Sequence, residues 1–176
     1  AHVIRDAFKA KVMALEEKST PKSVAERTLT LMTHYNIPPS KVIIDSFGTG
    51  SNVSQEIALA DHSRVHAINV GDRADDPERY MNIKAELYWR LREWLIAGGQ
   101  LVRHPDWAQL LTIKYKRTAT GKIQIMSKEE MIKNGYRSPD VSESLMLSFY
   151  GSTSTGTARQ TPQMSDKEIA ALTATY

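Results

Sequence analysis

Lys41-Val-Ile-Ile-Asp45-Ser-Phe-Gly-Thr-Gly50 is a β-branched run that stops on a carboxylate and turns through glycines into a helix expected over roughly Asn52 to Ala60. Val42, Ile43 and Ile44 show no polar alternation, which predicts a strand buried on both faces of a sheet. An aspartate at the end of such a strand is poorly solvated unless a cation or a hydrogen-bond donor faces it. Taken alone, the segment favours the plainer reading of Asp45 as a helix cap or turn residue. The glycines do not mark a nucleotide site. Dinucleotide folds place them before the acidic residue and need a third at fixed spacing, and no Gly-Lys-Ser/Thr follows here. A tight turn that lets a helix approach the sheet accounts for them.

Working outward, His2 to Arg5 and Phe8 to Leu15 read as two strands joined at Asp6-Ala7. Thr20 suits an N-cap and Pro21 the first helical position, with Val24, Leu29, Leu31 and Met32 as the apolar face of a helix to about Tyr35. Arg64 to Val70 reads as a strand. Pro77 to about Ala97 reads as one long helix on the spacing of Tyr80, Ile83, Leu87, Leu91 and Leu95, stopped by Gly98-Gly99. A short helix is expected over Asp106 to Leu111. Thr112 to Arg117 and Lys122 to Met126 form a hairpin. Ser127-Lys-Glu-Glu130 is a capping box, and Ser138-Pro-Asp140 opens a last helix with Val141, Leu145, Met146 and Phe149 on its apolar side. Strands followed by alternating helices and strands predict a three-layer α/β domain over residues 1–151. Residues 152–176, rich in Ser, Thr, Gly and Gln, are expected to be a flexible tail, with a weak helix around Asp166 to Leu172.

Asp140 and Glu143, three apart at a helix start, project from one face. Acidic residues there also suit the helix dipole, so capping and chemistry are evenly matched on the segment alone. Metal-assisted phosphodiester cleavage needs carboxylates converging from different elements, so that two divalent ions about 3.5–4 Å apart activate water and stabilise the leaving oxygen. A strand-end Asp45 and a helix-start Asp140/Glu143 pair suit that requirement if the fold joins them, and oxygen ligands favour Mg²⁺ or Mn²⁺.

Three stretches in this order resemble the C-terminal nuclease domain of the large terminase subunit of tailed double-stranded DNA phages. They are Val42-Ile-Ile-Asp45-Ser-Phe-Gly-Thr-Gly50, Tyr80-Met-Asn82-Ile-Lys-Ala-Glu86-Leu-Tyr-Trp-Arg90, and Lys122-Ile-Gln-Ile-Met-Ser-Lys128 through Arg137-Ser138-Pro-Asp140. The resemblance runs from about Arg5 to Gly151. It implies an RNase H-like, RuvC-like fold, a central mixed β-sheet flanked by helices, and endonuclease activity on viral DNA concatemers. It makes Asp45, Asp140 and Glu143 the catalytic metal ligands, although the family usually has aspartate at the position of Glu143. The family's first catalytic Asp sits on a central first strand that has no counterpart among residues 1–176. Asp6 falls in the turn after that place and is not assigned its role. That strand is expected in the whole molecule, and an ATPase domain precedes this one in the family. The implied partners are double-stranded DNA, the terminase small subunit and the portal, with no membrane, in the host cytoplasm. Two rivals stand beside it: another RNase H-like nuclease such as a Holliday-junction resolvase, and a non-catalytic module that binds DNA or docks on the portal.

Lys114, Lys116, Arg117 and Lys122 on the hairpin, with Lys128 beyond it, are expected to contact DNA phosphates. Edge-protecting lysines are the simpler alternative. Asn82, Glu86 and Arg90 at i, i+4 and i+8 read as a polar helix-face network. The five histidines show no metal spacing, and Trp89, Trp94 and Trp107 read as core anchors. A net charge of +3 and a pI near 9.1 permit a polyanionic partner without demanding one. The absence of cysteine excludes disulfides, zinc–thiolate sites and cysteine nucleophiles, leaving oxygen or histidine as metal ligands.

Overall fold

In a computed structural model, the structure describes residues 1–15, 19–46 and 50–151, apart from the side chain of Lys128. The proposed tail and its weak helix, and Phe47 to Thr49 of the glycine turn, lie outside these residues.

The chain opens with an antiparallel hairpin of β1 (His2–Arg5) and β2 (Lys9–Ala14). Asp6 makes its turn by accepting the Phe8 and Lys9 amides at 2.7 Å each, and those bonds hold its carboxyl below the usual range. Helix α1 (Pro21–Tyr35) begins at a capping box in which Thr20 and Ser23 exchange side-chain bonds, and Asn36 ends it in the left-handed conformation. After a 3₁₀ turn at Pro39–Lys41 come β3 (Ile43–Asp45), α2 (Gly50–Asp61) and β4 (His66–Ile68), with β3 and β4 parallel. Then follow α3 (Ile83–Ile96), β5 (Gln100–Leu101), a 3₁₀ stretch at Pro105–Thr112, the hairpin β6 (Tyr115–Arg117)–β7 (Ile123–Ile125), α4 (Lys128–Lys133) and α5 (Asp140–Leu147).

Ile43 and Ile44 point to opposite faces of β3, as adjacent strand residues must. Ile43 packs into a large cluster with Leu87, Leu91, Leu145 and Met146 from α3 and α5. Ile44 packs into a smaller one with Ala25, Val53 and Ile57 from α1 and α2. Two helical layers therefore enclose the strands, and the expected three-layer α/β class holds. The expected single sheet is divided: β1–β2–β5, β3–β4 and β6–β7 are separate, with Tyr80 bridging to Ile123. Among the described residues no strand pairs with the outer edge of β1 or of β3.

Several boundaries differ from expectation. The helix expected from Pro77 begins at Ile83. Asn82 caps it by accepting the Ala85 amide at 3.0 Å, while Tyr80 is drawn to the hairpin as a bridge partner. The buried Glu86 carboxylate binds the Asp75 and Asp76 amides at 2.7 and 3.3 Å, which fixes the preceding segment as a loop. Strand β3 is shorter than Lys41–Asp45 and only half-buried, since one of its edges borders a cleft. β5 had no sequence signal; it extends β2 by two residues. No described helix is long and apolar enough to cross a membrane.

Candidate active site: a carboxylate-lined cleft

Asp45 ends β3. Pairing continues one residue beyond it, where the Ser46 amide donates to the Ile68 carbonyl at 2.7 Å, so the strand end is fixed. Helix α2 starts very close by: a Cβ at Gly50 would collide with the Asp45 carbonyl oxygen. The glycine is thus explained by close approach, as the turn reading expected.

Asp140 is the first residue of α5, and the cap position belongs to Pro139, which makes no side-chain cap bond. The helix-start amides of Val141 and Ser142 are taken instead by Gln109 Oε1, at 2.8 and 3.3 Å. Asp140 is therefore not the cap, and its Oδ1 accepts the Ser138 hydroxyl at 2.6 Å. Glu143 sits one turn along. Its Oε1 accepts from Lys84 Nζ at 2.7 Å, with both side chains about one-fifth exposed (18% and 23%). The extra methylene of glutamate over aspartate lies on the side chain that makes this reach. Lys84 is itself anchored, its amide donating to the Val70 carbonyl at 2.9 Å just past β4.

Asp45, Asp140 and Glu143 all border one cleft of about 980 Å³, together with β1, β3, α1 and α5. Among the described residues, however, no group of three His, Asp or Glu side chains stands close enough to hold a metal ion. The donor set suits a hard divalent cation in kind, being all oxygen. In arrangement it is incomplete: Lys84 holds one carboxylate, Ser138 another, and no described group of three converges.

Beneath the cleft the support is dense. The Tyr88 hydroxyl, whose deep burial pushes its pKa up, meets Ser142 Oγ at 3.2 Å and ties α3 to α5. Arg90 bonds Glu86 at 2.6 Å and Asp75 at 2.9 Å, so the polar network expected of that helix face forms. The Trp94 and Trp107 indoles donate to the carbonyls of Ala7 and Val102, and Trp89 packs at the edge of the core. Trp107 is buried, and all three act as the anchors expected.

None of the basic residues Lys114, Lys116, Arg117 and Lys122 borders the cleft. The first three are exposed on or beside β6. Lys116 pairs with Glu130 at 2.9 Å, Arg117 reaches the Gly121 carbonyl at 3.1 Å and Lys114 the Leu111 carbonyl at 3.2 Å. Glu130 is held below its usual pKa by the Ser127 amide first and by Lys116 second. Lys128 opens α4, but its side chain lies outside the described residues.

Two residues of this region carried no site signal in the sequence. Lys84 lies within the Tyr80 to Arg90 segment, but no spacing rule links it to Glu143, 59 positions away. Gln109 lies 32 positions from the amide it caps.

No protein-family model matches this sequence, and no curated protein matches it. Solved structures do. The nuclease domain of the large terminase subunit gp2 of bacterial virus Sf6 superposes with a TM-score of 0.69 at 18% identity, over 86% of this chain and 81% of that one. The chain has the fold of that nuclease domain. A point mutant of the Sf6 domain with manganese and β-thujaplicinol gives a TM-score of 0.70 at 17% identity, over 86% and 81% of the two chains. A mutant with calcium gives 0.68 at 17%, over 84% and 80%. The RNase H-like architecture expected from the sequence is thereby reached independently through backbone geometry.

Proposed function

We propose that this chain is a nuclease of phage DNA packaging. More finely, it is a metal-dependent endonuclease that cuts double-stranded viral concatemers, with Asp45, Asp140 and Glu143 as the residues that bind Mg²⁺ or Mn²⁺, two ions in the full site. The observation that carries this reading is the shared cleft: carboxylates from a strand end and a helix start border one cavity, in the fold of a nuclease domain whose structures contain manganese or calcium. A bound divalent cation would supply an acidified water and charge neutralisation at the phosphate. The chain's own residues supply placement. Ser138 orients Asp140, and Lys84 keeps Glu143 from swinging into solvent while balancing part of the acidic charge. Lys114, Lys116, Arg117, Lys122 and Lys128 are proposed as phosphate contacts beyond the cleft, and an ATPase domain, the small subunit and the portal as partners, with the host cytoplasm as the place of action.

Supercoiled plasmid incubated with the protein and Mn²⁺ or Mg²⁺ is expected to be nicked, and chelator is expected to stop it. Asp45→Asn and Asp140→Asn should each slow nicking at least about 100-fold, or about 2.7 kcal/mol of barrier, with melting temperature unchanged. Nicking that survives chelator, or that Asp45→Asn leaves intact, overturns the proposal.

A non-catalytic DNA-binding module is the second reading, favoured by the engagement of Glu143 and Asp140 with Lys84 and Ser138. Duplex binding without nicking in any divalent metal would select it.

A further inference from the structure

Helices α1, α3 and α4 are each capped by the residue just before them: Thr20, Asn82 and Ser127 accept the amides of Ser23, Ala85 and Glu130. Helix α5 departs from this rule. Pro139 stands in its cap position with no side-chain acceptor to offer. A helix start leaves its first amides without partners inside the helix and concentrates positive charge there. Within α5 the Glu143 amide is satisfied by the Pro139 carbonyl at 2.8 Å. The Val141 and Ser142 amides both donate instead to Gln109 Oε1, at 2.8 and 3.3 Å.

Gln109 is fixed from behind. It lies in the 3₁₀ stretch Pro105–Thr112, between Trp107, whose indole is bonded to the Val102 carbonyl at 2.8 Å, and Leu110, which packs on the larger core cluster. Its own carbonyl accepts Thr112 Oγ1 at 2.7 Å. Without its amide oxygen, two helix-start amides and the helix dipole would call for another acceptor. The adjacent anion is Asp140, one position before Val141. In the structure Asp140 does not answer that call: its Oδ1 takes the Ser138 hydroxyl at 2.6 Å, and the residue is exposed where it borders the cleft.

We propose that Gln109 is a positioning residue for the site: by capping α5 from outside the helix, it holds the Asp140 carboxylate off the helix's own amides and leaves it available at the cleft. A neutral amide suits the task, since its oxygen accepts both bonds and adds no charge to an acidic rim. The chemical purpose rests on the nuclease reading; the restraint on Asp140 does not.

The test is a double-mutant cycle on the full chain, followed by urea unfolding without metal, with Gln109→Met, Asp140→Ala and the two combined. Gln109→Met alone should raise the unfolding constant about 5-fold, the effect of a lost cap. Asp140→Ala should cost about 5-fold more in the Gln109→Met background than in the wild type, because only there has its carboxylate taken over the amides. Equal costs in the two backgrounds would overturn the proposal. Gln109→Asn, one methylene short of the amides, serves in the same cycle if Gln109→Met does not fold. With Mn²⁺, plasmid nicking per folded molecule should fall at least about 10-fold in Gln109→Met and return to within about 3-fold of wild type in Gln109→Glu, which keeps the acceptor. Undiminished nicking in Gln109→Met, or an equal loss in Gln109→Glu, would also overturn it. A wild type that never nicks would fail the nuclease reading instead, and the cycle alone then decides whether Gln109 restrains Asp140.

Discussion

The α3–α5 half of the molecule and the β1–β3 half are built on different terms. In the first, Leu87, Leu91, Leu145 and Met146 are closed from solvent, and even the charges are matched: Glu86 takes two amides and Arg90, which in turn takes Asp75. In the second, Leu31, Ile43 and Ile44 are only half-buried beside an open cleft, and acidic side chains border it. The contrast teaches where the proposed site is placed. A carboxylate is costly in a filled interior and useful at the rim of an unfilled one, held in position by the rigid half behind it.

The sharpest way to break this contrast is to remove volume from each half. Leu145→Ala, at a fully buried position, is expected to cost about 3–4 kcal/mol in urea unfolding. Leu31→Ala should cost less than about 1 kcal/mol, because its surroundings are not closed. Equal costs would mean the two halves are packed alike. Next, Glu86→Gln keeps the shape but removes the charge facing Arg90, and should cost about 2 kcal/mol. The loss should vanish in an Arg90→Met background if the pair is what matters. Smaller again, Lys84→Ala should lower stability by under about 1 kcal/mol, since both partners retain some exposure. It should reduce nicking several-fold all the same, as Glu143 loses its tether. A pure stability effect, with nicking per folded molecule unchanged, would refute the positioning role.

The smallest effect lies at the α4–β6 contact. Glu130 has a depressed pKa in the folded state, so its contribution is present above the unfolded value of about 4.3 and is lost as pH falls through the lower folded one. Amide exchange in α4 should quicken as pH falls below about 4.3, and Lys116→Ala should weaken this dependence only in part because the Ser127 amide is the larger cause.

What could be read along the chain was whatever a few neighbouring residues decide. Thr20 and Ser127 announced their caps, Gly98-Gly99 a stop, Asp6 a turn, and Val141, Leu145, Met146 and Phe149 a buried face. Asp45 and Asp140 stood out as candidate ligands by their places at a strand end and a helix start, and a longer resemblance tilted that reading over capping. What stayed hidden was decided across space. The start of α3 moved from Pro77 to Ile83 because Tyr80 answers to Ile123 and the Asp75 and Asp76 amides to Glu86. Gln109 displaced Asp140 from capping, and Lys84 claimed Glu143, through contacts between residues that local spacing never compares.

Gly50 carries a consequence for how this site can vary. Within a helix, alanine is ordinarily the better choice by roughly 0.5–1 kcal/mol. At this position the added methyl has nowhere to go but against the backbone that bears Asp45. A change made to firm up the helix would be felt as a nudge to the acid, so two properties that selection could elsewhere adjust separately are here soldered together by one hydrogen atom's worth of room.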